Sequence, residues 1–255
     1  MTEETTEWFY LLGEEHRIVG ISGFTARPWR ARREKPRVSA FTSANIEKIL
    51  ALEPDLAIGF SDLQADIARE LARAGVNVLL TNQRSVQEIV DTLLRLAALV
   101  GAEAKGRALL ADISVSLDAV RATGAAFPRR PRVYFEEWPD PMISGIRWVS
   151  ELIAIAGGED CFPELAQAQG AKDRIIANPE EVVARNPDVI VGSWCGRKFR
   201  PEKVTARPGW DRINAVRAGA VHEIKSTIIL QPGPACLTDG VQALHGLLEQ
   251  ASRST

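Results

Sequence analysis

Histidine and cysteine are scarce in this chain, which contains three of each among 255 residues. Cys161, Cys195 and Cys236 are an odd set without CxxC spacing, so a disulfide framework and a zinc site are both disfavoured. The histidines are scattered along the sequence and give little support to a histidine metal site or a Ser-His-Asp arrangement. We therefore expect no metal site, no resident cofactor and no enzymatic activity.

Long apolar runs and an excess of one charge are also missing. No stretch approaches the roughly 18 consecutive apolar residues of a membrane span. The formal net charge of -2 predicts no binding to nucleic acid or to an anionic membrane. The N-terminus is acidic and shows no basic segment followed by an apolar run, so we recognise no signal peptide and a cytoplasmic location stays open.

An internal repeat is the clearest feature that is present. Ala44–Gly59 reads A-N-I-E-K-I-L-A-L-E-P-D-L-A-I-G, and Ala177–Gly192, 133 positions later, reads A-N-P-E-E-V-V-A-R-N-P-D-V-I-V-G. Seven of the sixteen aligned positions are identical without a gap. Each copy predicts a short helix with a capping Asn, a Pro-Asp turn and a buried strand. The chain is therefore predicted to contain two similarly built lobes, although one domain of this length is also feasible.

One long helix is predicted between the two copies. Leu109, Ile113, Leu117 and Val120 form an apolar stripe at helical spacing. Such a helix would span about 33 Å at 1.5 Å per residue. We predict an N-terminal lobe at residues 1–101, a connecting helix at 102–124 and a C-terminal lobe at 125–255, each lobe being α/β with a parallel-type sheet flanked by helices.

Aromatic and basic residues follow the predicted strands. The first two predicted strands of the chain are Arg17–Ser22 and Val38–Phe41, and Pro131–Phe135 opens the C-terminal lobe before a Pro-rich stretch, Glu136–Gly145, that we predict to be a loop. Ligands bind beyond the carboxyl ends of parallel strands. We expect an inter-lobe cleft for a large, flat or partly apolar ligand, lined by Phe24, Arg27, Trp29, Phe41, Trp138, Met142, Trp194 and Arg197.

The arginines of this set, together with Lys198, suit carboxylates or phosphates on such a ligand. For any single aromatic residue, packing beneath its own loop is an equally good interpretation. The set as a whole favours a binding surface.

Several motifs resemble the cobalamin-binding proteins of ABC importers. The matching stretches are R-I-V-G-I-S, A-N-I-E-K-I-L-A-L-E-P-D-L, P-M-I-S-G, A-G-G-E-D and E-E-V-V-A-R-N-P-D-V-I-V, and the resemblance extends from Thr5 to Ala251. These proteins form a class of periplasmic binding proteins with a helical backbone, whose relatives bind ferric siderophores and haem. In that class a strand precedes the first helix, and this sequence starts at the helix.

The resemblance implies a function and a partner. It implies capture of a cobalt corrinoid, or alternatively of a ferric siderophore or haem, for delivery to an importer. Glu47 and Glu180, at the same position of the two repeat copies, match the acids that dock each lobe onto arginines of the permease, although a solvated glutamate at a helix start would look the same. The family is extracytoplasmic, contacts the membrane only through the permease and suggests a monomer.

Two alternatives belong to other classes. An enzyme could use Cys195 as a nucleophile or Glu136 and Glu137 as an acid-base pair, but no histidine lies near Cys195 in the sequence. A cytosolic corrinoid carrier or sensor would never meet a permease, and the absence of a recognisable leader allows it.

Overall fold

The computed structural model describes residues 1–253. The chain divides into two compact units. Unit 1 comprises Met1–Gln83 and Gln87–Ala111, and unit 2 comprises Arg84–Val86 and Asp112–Thr255. The division falls within a single helix, Glu103–Ala125, and this helix confirms the one predicted at 102–124.

Unit 1 begins with a helix and contains two separate pairs of parallel strands. The first pair is β1 with β2 and the second is β3 with β4. Its elements are α1 (Glu3–Leu12), β1 (Ile21–Ser22), α2 (Ala31–Glu34), β2 (Arg37–Ser39), α3 (Ile46–Leu50), β3 (Leu56–Phe60), α4 (Ala65–Arg73), β4 (Asn77–Thr81), α5 (Val86–Leu99) and the start of α6 (Glu103–Ala125).

The two strand pairs of unit 1 do not join into one sheet. The amino group of Met1 donates a hydrogen bond to the carbonyl oxygen of Ile58 on β3, at 2.8 Å. A cavity of about 100 Å³ is lined by residues of both pairs, such as Val38 and Ala57, and by residues of α1. The α/β prediction holds for this unit, while the single sheet that we predicted for it is replaced by two short pairs.

Unit 2 is built on a five-stranded sheet with the order β6-β5-β8-β9, and β7 also pairs with β5. All pairings are parallel except β5 with β6. Its elements are β5 (Arg132–Pro139), β6 (Met142–Ser144), α7 (Arg147–Ile155), β7 (Glu159–Asp160), α8 (Glu180–Arg185), β8 (Val189–Gly192), α9 (Pro201–Thr205), α10 (Asn214–Arg217), β9 (Val221–Glu223), α11 (Ser226–Ile229) and α12 (Val241–Arg253).

The stretch predicted as a loop after Phe135 is instead a β-hairpin. Strand β5 continues to Pro139, and β6 returns antiparallel to it, with Trp138 paired to Ile143 and Pro139 to Met142. The two prolines suggested a loop because proline cannot donate to a strand ladder. The hairpin tolerates them because Pro139 is the last residue of β5, past the stretch that pairs with β8, and Pro141 lies in the turn before β6.

Both copies of the repeat fold as predicted, into a short helix followed by a buried strand. The side chain of Asn45 accepts a hydrogen bond from the backbone N–H of Lys48 at 2.8 Å, capping α3. In the second copy the side chain of Asn178 accepts from the N–H of Glu180 at 3.1 Å. In each copy an Asn side chain thus accepts a hydrogen bond from a backbone N–H group at the start of the helix.

Candidate functional site

The aromatic residues predicted for unit 1 lie at its surface. The exposed fractions are 55% for Phe24, 61% for Trp29 and 40% for Phe41, which is unusual for such large apolar side chains. Two polar contacts fix the surrounding backbone. The N–H of Phe24 donates to the hydroxyl of Ser22 at 3.1 Å, and Gln64 donates to the carbonyl oxygen of Phe41 at 3.0 Å.

The basic segment after β1 runs along α1. Arg27 forms an ion pair with the buried carboxylate of Glu7 at 2.6 Å. Farther along the helix, the guanidinium of Arg30 lies 4.7 Å from the ring centroid of Tyr10. Trp29 of this segment is exposed, and its ring centroid lies 5.7 Å from the guanidinium of Arg32 and 5.9 Å from that of Arg33.

In unit 2 two of the predicted residues contact each other. The guanidinium of Arg197 lies 4.8 Å from the ring centroid of Trp138, a cation–π distance. The indole N–H of Trp138 donates to the carbonyl oxygen of Asp140 at 2.9 Å, within the hairpin turn. Trp138 lies near the carboxyl end of β5, and Arg197 follows β8; these strands are parallel neighbours with Glu136 opposite Gly192. The pair therefore lies at the carboxyl ends of β5 and β8.

Met142 and Trp194 are buried. The indole N–H of Trp194 donates to Oε1 of Glu136 at 3.0 Å. The sulfur of Met142 accepts from Arg207 at 3.4 Å, which is a weak hydrogen bond. Both side chains thus have hydrogen-bond partners inside the protein, which agrees with the alternative prediction that individual residues of this set pack within the fold. Their contact with a ligand stays a prediction.

A buried ionic cluster is the main feature that sequence reasoning missed. Glu136 is fully buried, and its carboxylate is paired with Arg207 through two hydrogen bonds of 2.5 and 3.0 Å. The same carboxylate accepts from the hydroxyl of Tyr134 at 2.8 Å and from Trp194. We call these four residues the Glu136 cluster. Its carboxylate has four donors, so the desolvation of the charge is well compensated.

The cluster shifts the ionisation of its members. Burial raises the pKa of Tyr134 well above its ordinary value, and the neighbouring carboxylate of Glu136 adds to the rise. Burial opposes the charge of Arg207, yet the hydrogen bonds and charge of Glu136 leave the pKa of its guanidinium raised. Tyr134 therefore stays neutral and Arg207 stays charged across the physiological pH range.

Glu136 and Glu137 do not form an acid-base pair. Glu137 pairs instead with the buried Arg174 at 2.7 Å. Each carboxylate is thus committed to its own arginine, and the two do not converge on one point.

The proposed docking acids are exposed at the starts of equivalent helices. Glu47 lies in the first turn of α3, and Glu180 is the first residue of α8. Glu180 forms an ion pair with Arg212 at 3.0 Å, in which both side chains are more than half exposed. An ion pair with this exposure contributes little to stability, so Glu180 can exchange its partner at low cost.

The three cysteines differ in exposure, and this difference can be measured. Cys195 is exposed, whereas Cys161 and Cys236 are buried. Burial raises the pKa of the Cys161 thiol to about 12.

We expect iodoacetamide at pH 8 to modify one cysteine of the native protein and three after denaturation, because only an accessible thiolate reacts. Peptide mass spectrometry should place the native label on Cys195, and a label on Cys161 before unfolding would contradict the structure.

Within residues 1–253, no three His, Cys, Asp or Glu side chains lie close enough together to bind a metal ion. In the same residues, no helix combines the length and the apolar character needed to cross a bilayer.

Comparison with known proteins places the chain in a family. The family model described as periplasmic binding protein matches residues 1–228. The chain belongs to this family. Its members are extracytoplasmic substrate-binding proteins of ABC transporters and not enzymes, so the enzymatic alternative is set aside. A small-molecule ligand and a permease partner follow from membership.

Individual relatives are distant but cover the chain well. An uncharacterized ABC transporter substrate-binding lipoprotein of Bacillus subtilis, YvrC, is 26% identical over 94% of this chain and 75% of its own length. A vitamin B12-binding protein of Vibrio parahaemolyticus is 24% identical over 93% of this chain and 84% of its own. The periplasmic heme-binding protein RhuT of Roseiflexus sp. RS-1 has a similar fold, with a TM-score of 0.82, 22% identity and coverage of 99% and 97%.

Proposed function

We propose that this chain captures a corrinoid and delivers it to the permease of an ABC importer. The observation that carries the proposal is the presence of accessible aromatic rings: the exposed Phe24, Trp29 and Phe41 in unit 1, and in unit 2 the half-buried Trp138 with Arg197 over its ring. Aromatic rings offer flat apolar area to a macrocycle, and arginines bind its polar substituents. The vitamin B12-binding relative from Vibrio supports a corrinoid.

Haem and ferric siderophores are the alternative ligands within the same fold. The similar fold of the Roseiflexus heme-binding protein supports haem as an alternative ligand.

We further propose that the protein acts outside the cytoplasm and as a monomer. Fractionation of the native host that finds the chain only in the cytosol would favour the carrier or sensor alternative.

A visible-absorbance titration tests the ligand proposal. Purified protein is titrated with cyanocobalamin, dicyanocobinamide, haemin and a ferric hydroxamate siderophore, since binding changes the axial ligands or surroundings of a chromophore. We expect saturable spectral shifts at micromolar concentration for the corrinoids. Saturation by haemin or the siderophore alone would reassign the ligand. A flat response to all four would remove the binding proposal.

Docking through Glu47 and Glu180 is tested separately from ligand binding. We expect Glu47→Ala with Glu180→Ala to slow association with the permease by about ten- to a hundredfold, because rim charges mainly set the rate of encounter. Corrinoid affinity should stay within about twofold of the unmodified protein, since neither carboxylate is assigned to the ligand surface. Surface plasmon resonance on the reconstituted permease would measure the first quantity, and the absorbance titration the second.

The matched control removes one exposed acid from each unit elsewhere. Glu70 on α4 and Glu202 on α9 are both exposed. Glu70→Ala with Glu202→Ala changes the net charge by the same amount and should leave association unchanged. Equal slowing by both double variants would show that net charge, and not these two positions, governs the encounter.

A further inference from the structure

A short surface turn in unit 2 carries two positive charges. The turn consists of Cys195, Gly196, Arg197 and Lys198, all exposed, and follows β8 by two residues. The N–H of Arg197 donates to the carbonyl oxygen of Trp194 at 3.3 Å, and Gly196 has a φ of 70° in the left-handed region. In the part of the chain that the structure describes, neither Arg197 nor Lys198 has a carboxylate within 4.0 Å.

Buried rings fix both ends of this turn. Trp194 precedes it and belongs to the Glu136 cluster, and Phe199 follows it. Phe199 is also buried, and its ring lies edge-on to Trp194 with a centroid distance of 4.9 Å. A turn attached to two packed rings changes position little when a ligand arrives, so its charges are preorganised.

Stacking on Trp138 orients Arg197. Its guanidinium carbon lies 4.8 Å from the ring centroid, and among the described residues its side-chain N–H groups donate no hydrogen bond. Those donors form a planar fork that matches a carboxylate or a phosphate. Trp138 lies near the carboxyl end of β5 and Arg197 lies beyond that of β8, at the end of the sheet where ligands bind in open α/β folds.

We propose that the turn Cys195–Lys198 recognises an ionised carboxylate or phosphate of the ligand, with Arg197 as the contacting group. This inference rests on the proposed function and narrows its substrate class to chelates that carry an anionic substituent. Neutral amide side chains would leave the Arg197 donors with weaker, uncharged acceptors. Glu136 acts as a positioning residue for the turn through its hydrogen bond to Trp194.

Three ligands on one corrin ring separate the possibilities. Cyanocobalamin carries a phosphodiester, cobyrinic acid carries carboxylates, and cobinamide carries neither. Affinities are measured by absorbance in excess cyanide, which gives all three the same axial ligands. We expect cyanocobalamin or cobyrinic acid to bind about 10- to 100-fold more tightly than cobinamide, as is typical of a charge-assisted contact. Tighter binding of cobyrinic acid would identify a carboxylate as the recognised group, and tighter binding of cyanocobalamin a phosphate.

Variants assign that preference to the turn. Arg197→Gln should weaken binding of the anionic ligand by about tenfold or more and binding of cobinamide by clearly less, so that most of the advantage of the anionic ligand is lost. Lys203→Gln removes an exposed charge of the same unit outside the turn and should preserve the advantage. Equal affinity for all three ligands, or an equal loss for all three in Arg197→Gln, would overturn the inference and leave corrinoid binding intact. If no corrinoid binds, the proposed function is overturned as well. If haemin binds in that case, haem and its uncharged dimethyl ester provide the same comparison of an anionic with a neutral ligand.

Discussion

Replacing Glu136 with leucine is expected to destabilise the protein by about 3–5 kcal/mol, the usual effect of leaving one partner of a buried ion pair uncompensated. Arg207 would keep its charge after the carboxylate that pairs with it has been removed. The hydroxyl of Tyr134 and the indole N–H of Trp194 would lose their acceptor at the same time. Urea unfolding followed by tryptophan fluorescence measures the change in midpoint.

An exposed ion pair of the same unit provides the control. Glu164 and Arg185 are 2.6 Å apart, but the Glu164 side chain is about half exposed. Glu164→Leu should therefore cost no more than about 1 kcal/mol. The double variant Glu136→Leu with Arg207→Leu should recover part of the loss, because no buried charge remains unpaired. Equal midpoints for Glu136→Leu and Glu164→Leu would contradict the assignment of Glu136 as a buried, saturated carboxylate.

The second large effect is expected at Gly192, the last residue of β8. A Cβ atom at this position would overlap the ring of Phe199. Gly192→Ala should destabilise the protein by about 1–3 kcal/mol, the typical cost of overpacking. Since Phe199 also fixes one end of the turn Cys195–Lys198, displacement of its ring should weaken the preference for anionic ligands. Thermal unfolding and the three-ligand titration measure the two consequences.

Gly246 is the matched control for this substitution. It lies within α12, and a Cβ atom there would meet no heavy atom within 4 Å. Gly246→Ala should stabilise the protein by about 0.5–1 kcal/mol, because alanine loses less backbone entropy in a helix. The opposite signs of two identical chemical changes make the comparison informative. A neutral or stabilising effect of Gly192→Ala would show that Phe199 does not pack against β8 as described.

Features with a local or repeated signal could be predicted from the sequence. The apolar stripe predicted a helix at 102–124, and the structure has it at Glu103–Ala125. The doubled segment predicted a helix and strand twice, and both copies fold that way. Such predictions are reliable because each depends on the spacing of residues that are close together in the sequence.

Features that depend on distant partners were not predictable. Glu136 in a strand gives no sign of burial, since its partner Arg207 lies 71 residues farther along the chain. The hairpin after Phe135 was predicted as a loop because its prolines suggest one, whereas the pairing of β5 with β6 depends on the rest of the sheet. The place of Trp194 after a strand suggests a ligand surface, whereas its burial depends on its contacts with Glu136 and Phe199.

Native mass spectrometry tests the central claim most directly. The purified chain is mixed with equimolar cyanocobalamin, dicyanocobinamide, cobyrinic acid, haemin and a ferric siderophore, and the complex is identified by its mass. We predict one dominant species with a single corrinoid per chain that survives buffer exchange. A spectrum that shows only the bare protein, or several chelates retained indiscriminately, would contradict the account of a substrate-binding protein with a built ligand surface.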